Sequence, residues 1–388
     1  MSEAQIRRGL RAAMCGTAFS FLVIHAVAAG NYENGSVAQS SQPSGNQSPA
    51  QAVNPADPPA EEVFKNIQML KGMPASQMKA VMSLISTSVG MRCDQCHVPD
   101  AFEKDDKRPK QTARSMLQLV MSVNKTSFDG QPQVTCFSCH RGQQRPVAMP
   151  PIAQQAAQTS TPAPRPAATG LPSYDQIIDK YLEAIGSSTA YEKLKSRVMK
   201  GSMIDAKGGT FPVEVCQTAP DKMVIITTLP NGTASQGYNG TIGWAAGPSG
   251  QSELRGMELA KIKRAADIAR FLKIKEESLS PRVVGKVKVG EKEAYQISAR
   301  AGGQRVQLFF DTQTGLLLRR QIMSNTVLGA FPEQTDYEDY RDVDGVKLPF
   351  ITRYSTPDPA AASTMEFKEI AHNVTVDDAK FNPPQIQK

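Results

Sequence analysis

Two copies of a Cys-x-x-Cys-His motif constrain this chain more than any other feature of its sequence. They are Cys93-Asp94-Gln95-Cys96-His97 and Cys136-Phe137-Ser138-Cys139-His140. The motif is the attachment signal for a covalent c-type haem, in which the two thiols bond the porphyrin and the adjacent histidine gives the iron its proximal nitrogen. The sequence therefore predicts two covalently bound c-type haems, with His97 and His140 as the proximal iron ligands.

Three other interpretations of the cysteine pairs stay open at this point. Four thiolates can bind one zinc ion, although zinc does not require a histidine after each pair. The pairs can also form two disulfides. A redox-active Cys-x-x-Cys pair is typical of a βαβ setting, which the flanking sequence does not show. The recurrence of the whole motif after two similar amphipathic helices favours haem.

The number of histidines restricts the sixth ligand of each iron. The sequence contains four histidines, and besides the two proximal ones these are His25 and His372. His25 lies in an N-terminal segment that we expect to be removed, and His372 lies near the far end of the chain. We expect His372 to be a surface residue rather than an iron ligand.

Methionine is the abundant alternative, with 16 in the chain. A methionine on the helix before each motif could reach the far face of the haem, which favours Met82 and Met116, with Met78 and Met121 as the next candidates. Methionine on an apolar helix face is more often plain core packing. An iron held by histidine and methionine has both axial positions filled, and it suits electron transfer better than oxygen or peroxide chemistry.

The residues around the motifs predict a small helical domain over 59–151. Apolar spacing and capping residues indicate three helices, from residue 60 to about 71, from 74 to about 90, and from 111 to 124. Gly72 and Gly90 would end the first two. The predicted fold of this part is an all-α dihaem c-type cytochrome domain.

From about residue 60 to 150 the sequence resembles the cytochrome c subunit of photosynthetic reaction centres. The most specific stretches are 112–117, with Ala113-Arg114-Ser115-Met116, and 134–142, around the second motif. In that family a helix with this Ala-Arg-x-Met pattern supplies the axial methionine of the haem attached just downstream. The resemblance implies that role for Met116 and, through the similar preceding helix, for Met82.

The resemblance also implies a helical fold wrapped around haems, electron transfer, and a redox partner protein. That partner would be a membrane-bound reaction centre or, for a related dihaem module, a respiratory complex. The chain departs from the family pattern in having two attachment sites rather than four. It also carries a large additional C-terminal domain.

The N-terminal segment predicts export. Residues 1–28 resemble a signal peptide, because Arg7 and Arg8 precede an apolar stretch over 12–27 that ends in Ala26-Val27-Ala28. An uncleaved anchor is the alternative. Residues 29–58 form a low-complexity leader, and 152–171 form a linker rich in Pro, Ala and Gln. Export predicts a periplasmic location or the outer face of the membrane.

Residues 172–388 predict an α+β domain with a curved antiparallel sheet. A helix over 174–186 precedes many alternating strands, and a helical segment is expected over about 252–272. The stretches 308–319 and 339–349 are weakly similar to periplasmic lipoprotein-carrier half-barrels, which implies lipid as a ligand. A packed domain without a ligand is the alternative. Cys216 is expected to be buried and inert.

Charge and composition exclude several functions. The chain has 44 Lys and Arg against 37 Asp and Glu, a net charge of +7 spread along 388 residues. It has no basic block or nucleic-acid-binding motif, so no nucleic-acid partner is expected. No catalytic triad, phosphate loop or convincing carboxylate pair stands out. The sequence predicts an exported dihaem electron carrier rather than an enzyme, with a dihaem peroxidase, or a lipid- or partner-binding module wired to haems, as alternatives.

Overall fold

The computed structural model describes residues 57–146, 170–186, 188–248 and 250–384. The chain divides into two compact units, and residues 326–329 are grouped with the first of them. We call their main sequence ranges the helical unit (57–146) and the sheet unit (170–384). The predicted signal peptide (1–28), nearly all of the leader (29–58) and nearly all of the linker (152–171) lie outside the described residues. No helix in the described ranges is both long enough and apolar enough to cross a membrane.

The helical unit contains five α-helices, three of them very short. They are α1 (Ala60–Val63), α2 (Met78–Val89), α3 (Cys93–Cys96), α4 (Arg108–Ser127) and α5 (Cys136–His140). Its small core includes Leu70, Met73, Val81 and Leu117, with Met78 and Met82 packed against it. The two long helices match the second and third predicted helices, and the two cysteine motifs form α3 and α5. This confirms the helical character that the sequence predicts for the unit.

Specific residues determine where α2 begins and ends. The Asp57 carboxylate accepts hydrogen bonds from the backbone N–H and the hydroxyl of Ser76, at 3.1 and 2.7 Å, and so caps the 3₁₀ turn Ala75–Gln77 that leads into the helix. At the other end Gly90 adopts a left-handed conformation with φ of 65°, which is the usual glycine helix stop.

The prediction of the first helix was wrong beyond its first turn. After α1 the chain leaves helical geometry at Phe64, and Asn66 has a positive φ of 59°. The Glu61 carboxylate accepts a hydrogen bond from the backbone N–H of Gly72 at 2.8 Å. This contact and the bond from Ala60 N–H to the Met73 carbonyl (2.7 Å) close a loop. Residues 64–72 therefore form a loop and not a helix.

The sheet unit is built on a single antiparallel sheet of 13 strands. They are β1 (Ser196–Asp205), β2 (Thr210–Thr218), β3 (Lys222–Leu229), β4 (Gly232–Tyr238), β5 (Gly243–Gly247), β6 (Gly250–Leu254), β7 (Leu279–Val289), β8 (Lys292–Ala301), β9 (Gln304–Asp311), β10 (Leu317–Thr326), β11 (Gly329–Val343), β12 (Val346–Ser355) and β13 (Ser363–His372). The spatial order runs β6 to β1, then β13 to β7. Strands β1 and β13 pair in the middle, so the two ends of the domain's chain meet there.

Four α-helices belong to the sheet unit: α6 (Tyr174–Ile185), α7 (Ser188–Glu192), α8 (Gly256–Ala266) and α9 (Ile274–Glu277). Helix α8 packs on β3, β4 and β5, whereas α6 packs on both β12 and the edge strand β7. In a flat sheet those two strands, five positions apart, would be separated by roughly 24 Å at about 4.8 Å per strand. The sheet therefore curves around the helix, which agrees with the curved antiparallel sheet predicted from the sequence.

Two details of the sheet unit differ from the prediction. One strand was expected near 240–244, but β4 and β5 form a hairpin there. The sequence of β4 is rich in Gly, Ser and Thr and lacks the bulky residues typical of strands. Gly237 is needed in it because an added Cβ would lie 2.7 Å from the Trp244 ring. The α-helix in the segment predicted over 252–272 is shorter, with β6 at its start and a turn followed by the 3₁₀ helix Arg270–Lys273 at its end.

The two single residues singled out in this domain have different outcomes. Cys216 is fully buried as predicted, and burial raises the pKa of its thiol to about 12, which makes it unreactive. The prediction of a surface position for His372 was wrong, since it is only 8% exposed. It faces Arg197 directly across the β1–β13 pair, and the Arg197 Nε donates to its Nε2 at 3.1 Å. A strand-end position had suggested exposure, but the central pairing buries it.

The burial of His372 predicts that the sheet unit is sensitive to acid. Burial, with the nearby Arg197 charge, lowers the pKa of His372 from 6.5 to about 4. The unfolded chain therefore binds one more proton between these values, and the stability present above pH 6.5 is lost as the pH falls towards 4. The loss is up to about 3 kcal/mol. Unfolding in urea, followed by fluorescence of Trp244, which is the one tryptophan of the sequence, measures it.

The matched variant is His372→Gln, whose side-chain oxygen can still accept from Arg197 but does not titrate. We expect the variant to lose this part of the pH dependence between pH 7 and pH 4. An identical loss of stability in the variant and the original chain would show that other groups cause the acid sensitivity.

Candidate haem-attachment sites

Both cysteine motifs fold as a single helical turn that begins with the same cap. In α3 the side chain of Gln95 accepts a hydrogen bond from the backbone N–H of Arg92 at 2.7 Å. In α5 the hydroxyl of Ser138 accepts from the backbone N–H of Thr135 at 3.0 Å. Each capping residue is the third residue of its motif, which is one of the two x positions of Cys-x-x-Cys-His. The side chain at this position therefore helps to fix the turn. Residues three apart on a helix share a face, which places the two thiols of each motif side by side.

Both motif histidines have their rings oriented by a backbone carbonyl. The Nδ1 of His97 lies 3.1 Å from the Phe102 carbonyl oxygen, and the Nδ1 of His140 lies 3.0 Å from the Gln143 carbonyl oxygen. A carbonyl can only accept, so Nδ1 carries the proton in both rings. The Nε2 atoms are then unprotonated and have a lone pair to offer. This is the arrangement that metal-ligating histidines use.

Burial sets the protonation states of the first motif. It lowers the pKa of His97, which keeps the imidazole in the neutral form that binds metals. It also raises the pKa of Cys96 and, in the second motif, that of Cys136. A redox-active pair needs a lowered pKa instead, so these thiols do not resemble one.

A largely apolar cavity of about 580 Å³ adjoins the first motif, within the range of about 300–1,000 Å³ that is usual for ligand and cofactor sites. Cys93, Cys96 and His97 line it together with Met82 from α2. Three further methionines also line it, namely Met69, Met78 and Met91. The cavity thus combines two thiols, an imidazole and thioethers, which are the groups that a covalently held haem requires.

One side of this cavity is basic. Lys110 and Arg114 of α4 line it, and both form ion pairs with Asp105, at 3.0 and 2.8 Å. Hydrogen bonds from Arg114, and to a lesser extent from Lys110, hold the pKa of the Asp105 carboxyl well below its usual range. Two cations against one carboxylate leave a net positive charge at the rim, which is complementary to the acidic side chains of a porphyrin.

The second motif is held between the two long helices of the unit. The backbone N–H of Gly142, just after α5, donates to the Ser88 carbonyl of α2 at 2.9 Å. On the α4 side, the amide of Asn124 donates to the Val134 carbonyl at 2.7 Å and accepts from the Val134 N–H at 2.9 Å. These three hydrogen bonds fix the peptide on both sides of the Cys136–His140 turn.

Helix α4 presents apolar side chains to solvent near this second motif. Met116 is 40% exposed and Leu119 is 55% exposed. Met116 stands about 100° around the helix from Leu117, which is buried and lines the first cavity. Phe128 and Phe137 are also exposed. Exposed apolar side chains grouped on one helix are typical of a ligand or partner surface.

The structure therefore brings some of the predicted site residues together and leaves others apart. Met82, Cys93, Cys96 and His97 line one cavity. Cys136, Cys139 and His140 share one turn, but Met116 is in the neighbouring helix and does not line the first cavity. The position of Met69 in the cavity lining was not predicted, because the sequence had placed that residue in a helix. The inward position of Arg114 was not predicted either, although the Ala-Arg-x-Met pattern was an available signal for it.

The alternative uses of the cysteines gain no support from the geometry. Among the described residues, no disulfide joins the motif cysteines, and no group of three or more His, Cys, Asp or Glu side chains is placed to hold a metal ion. The two cysteine pairs do not converge on a single point, as one zinc site would require.

Comparison with known proteins supports the resemblance noted from the sequence. Residues 14–200 match the model of the family described as photosynthetic reaction centre cytochrome C subunit. The photosynthetic reaction center cytochrome c subunit of Thermochromatium tepidum is 34% identical over 95 residues, which is 24% of each chain. Cytochrome c-554 of Chloroflexus aurantiacus is 35% identical over 81 residues, 19% of this chain and 20% of that protein. The chain thus spans about a quarter of the length of these relatives, and the resemblance is confirmed over that part.

Solved structures resemble the other part of the chain. A LolA superfamily protein from Nitrosomonas europaea aligns with 55% of this chain and 99% of its own, at 12% identity and a TM-score of 0.38. A DUF1329 family protein from Desulfovibrio piger aligns with 54% of this chain and 96% of its own, at 12% identity and a TM-score of 0.40. Likenesses at this level carry no argument about function.

The packing of the second motif on α2 predicts the effect of one glycine substitution. The carbonyl oxygen of Gly142 occupies the place that a Cβ on Gly90 would need. We expect Gly90→Ala to destabilise the segment 83–97 by at least about 2 kcal/mol, from left-handed strain and from displacement of the Gly142 backbone. Hydrogen exchange of the amides in that segment measures the change.

The matched control is Gly72→Ala. Gly72 is also left-handed, with φ of 74°, but no atom lies within 4 Å of a Cβ placed there. It should cost only the backbone strain, about 1 kcal/mol. Equal effects of the two substitutions would show that the contact between Gly90 and Gly142 does not matter.

Proposed function

We propose that the helical unit is a dihaem c-type cytochrome that transfers electrons between partner proteins. Cys93 and Cys96 would hold one haem covalently with His97 as the proximal ligand. Cys136, Cys139 and His140 would hold the other. The observation that carries this proposal is that both motif histidines donate Nδ1–H to a backbone carbonyl, which leaves each Nε2 free to bind iron.

The distal ligands in this proposal are Met82 for the first haem and Met116 for the second. Met82 lines the cavity that the first motif adjoins. Met116 lies on the exposed apolar side of α4, and α4 contacts α5. A haem iron held by imidazole and thioether exchanges single electrons and has no open position for a substrate. This favours an electron carrier over a dihaem peroxidase.

The chain's own residues would then have three roles. The carbonyls of Phe102 and Gln143 hold the imidazoles in orientation. The apolar walls exclude water from the irons, which influences the reduction potential. Lys110 and Arg114 supply positive charge at the rim of the first cavity, where they would pair with the acidic side chains of the porphyrin.

The partner in this proposal is a membrane-bound reaction centre or a respiratory complex. One of the named relatives is a photosynthetic reaction center cytochrome c subunit, and the region matched by the family model contains both motifs. A periplasmic location, or one on the outer face of the membrane, follows from the predicted signal peptide and from the site of c-type haem attachment. Binding of lipid by the sheet unit stays a prediction from the sequence.

The first test is the number of haems on the exported protein. We expect intact mass and a pyridine haemochrome assay to give two covalent haems per chain. The double variant Cys136→Ala/Cys139→Ala should retain one, and Cys93→Ala/Cys96→Ala should retain the other. A properly matured protein without covalent haem would overturn the proposal.

The second test concerns the distal ligands. Met82→Ala and Met116→Ala should each convert one haem from low spin to high spin, because each opens one iron position. Met78→Ala and Met121→Ala are the matched controls, and we expect both haems to stay low-spin in them. Absorption and electron paramagnetic resonance spectra measure the spin states. Low-spin spectra for both haems in the Met82 and Met116 variants would refute the ligand assignment.

Carbon monoxide separates the electron carrier from the peroxidase alternative. The reduced protein should not bind it without denaturant, whereas the Met82→Ala and Met116→Ala variants should. Rapid binding to the unaltered protein would indicate an open or displaceable iron position and would favour the enzyme.

A further inference from the structure

The sheet unit contains a buried arginine whose hydrogen-bonding groups are not used. Arg320 on β10 is 3% exposed, and apart from a contact with the Tyr337 hydroxyl its three guanidinium nitrogens have no hydrogen-bond partner among the described residues. Tyr337 on the adjacent strand β11 is the strongest electrostatic neighbour of Arg320. A buried charge in this condition is costly, and an orphaned buried donor in a native fold calls for a partner.

A second cation and one carboxyl group face the same region. Arg264 on α8 and Glu277 on α9 both lie within electrostatic range of Arg320. The Nε of Arg264 and the Oε2 of Glu277, which is 7% exposed, have no hydrogen-bond partner among the described residues. Burial raises the pKa of Glu277 to about 7, even though Arg264 and Arg320 both act to lower it. The three side chains are therefore near one another but not joined.

The other buried charges of this unit show that the fold can satisfy such groups. Glu333 on β11 accepts hydrogen bonds from Lys261 at 2.7 Å, from Tyr354 at 2.8 Å and from Ser324 at 2.8 Å. Arg270, which is 5% exposed, donates to the Ala265 carbonyl at the end of α8, a favourable position for a cation. Arg270 leaves only its Nε without a partner among the described residues, whereas all three nitrogens of Arg320 lack one apart from the Tyr337 contact.

The same holds for the buried arginine at the centre of the sheet. Arg197 donates to His372 and to the Gln217 side chain, at 3.1 and 3.3 Å, from β1 to both neighbouring strands. Only its Nη2 is left without a partner among the described residues. At Arg320 the positive charge of two arginines is opposed by Glu277 and, more weakly, by Glu333, whose carboxylate already accepts the three hydrogen bonds given above.

We propose that the sheet unit binds an oxyanion, a carboxylate or a phosphate, between Arg264, Arg320 and Glu277. Two guanidinium groups present fixed pairs of N–H donors that match the paired oxygens of such a group. The protonated Glu277 would donate a third hydrogen bond. The anion compensates the buried charge that the chain leaves unpaired. It belongs either to a small free molecule or to the acid headgroup of an amphiphile.

Titration calorimetry of the full haem-containing chain tests the proposal. The probes are inorganic phosphate, acetate and decanoate, with decan-1-ol as the neutral match for decanoate and chloride at equal ionic strength as the salt control. Binding of phosphate or acetate identifies a small free anion as the ligand. Binding of decanoate alone identifies the acid headgroup of an amphiphile. Equal binding of decan-1-ol, or no binding beyond that of chloride, overturns the proposal.

Variants assign the binding to this site. We expect Arg320→Met to weaken binding of the active probe at least tenfold, and Arg264→Met to weaken it similarly. Arg320→Lys keeps the buried charge but loses the paired donors, so it should bind with intermediate affinity, and it serves if the methionine variant does not fold. Arg300→Met changes an exposed arginine on β8 and should bind normally. Undiminished binding in the Arg320 variants overturns the assignment. The haem spectra should be the same throughout, so the result is independent of the cytochrome proposal.

Discussion

The helical unit depends on the hydrogen bond that orients the imidazole of each cysteine motif. The accepting carbonyl comes five residues after His97 in one motif and three residues after His140 in the other. The loops that supply it share no sequence pattern, yet the two rings end in the same tautomer. Two different loop sequences therefore produce the same orientation of the imidazole ring. With Nε2 available as a ligand, the thiols on the same turn and the apolar side chains nearby can bind the same group.

The two units differ in how completely they bury their own apolar surface. Eight of the eleven exposed large hydrophobic residues in the described part of the chain belong to the helical unit. That unit is the smaller of the two, and a chain of its size buries a smaller share of its surface than a larger domain does. The sheet unit forms its core from its own strands and helices. Two haems would supply the helical unit with the apolar bulk that its short helices lack.

The sequence was sufficient where local chemistry decides the structure. The two motif turns, the helices before them and most strands of the sheet follow from spacing and alternation. It failed where a distant contact decides. Glu61 binds the N–H of Gly72 eleven residues away and replaces a helix with a loop. The strand β4 lacks typical strand residues and is stabilised by packing, with Gly237 against Trp244.

The candidate site shows the same division between local and distant contacts. The residue types proposed to bind haem were evident from the motifs, and the proposed proximal histidines follow from their position in them. The inward positions of Lys110 and Arg114 were not evident, because they depend on Asp105 in a loop that has no regular pattern. Which methionine faces which haem depends on helix rotation and packing, which spacing alone leaves undecided between residues one turn apart.

The position of His372 bears on the ligands of the proposed haems. Outside the motifs it is the one histidine that the described residues contain. Its Nε2 accepts from Arg197, and its Nδ1 lies 3.4 Å from the Asp344 carboxylate. Nε2 is therefore hydrogen-bonded within the sheet unit, whereas Nδ1 only faces a carboxylate and has no hydrogen-bond partner among the described residues. Binding iron through Nε2 would require breaking a buried contact with an arginine. Since imidazole is not readily supplied from there, thioether sulfur is the strongest remaining donor, and the four methionines around the first cavity provide it. The proposed axial chemistry thus rests on a contact made in the other unit of the chain.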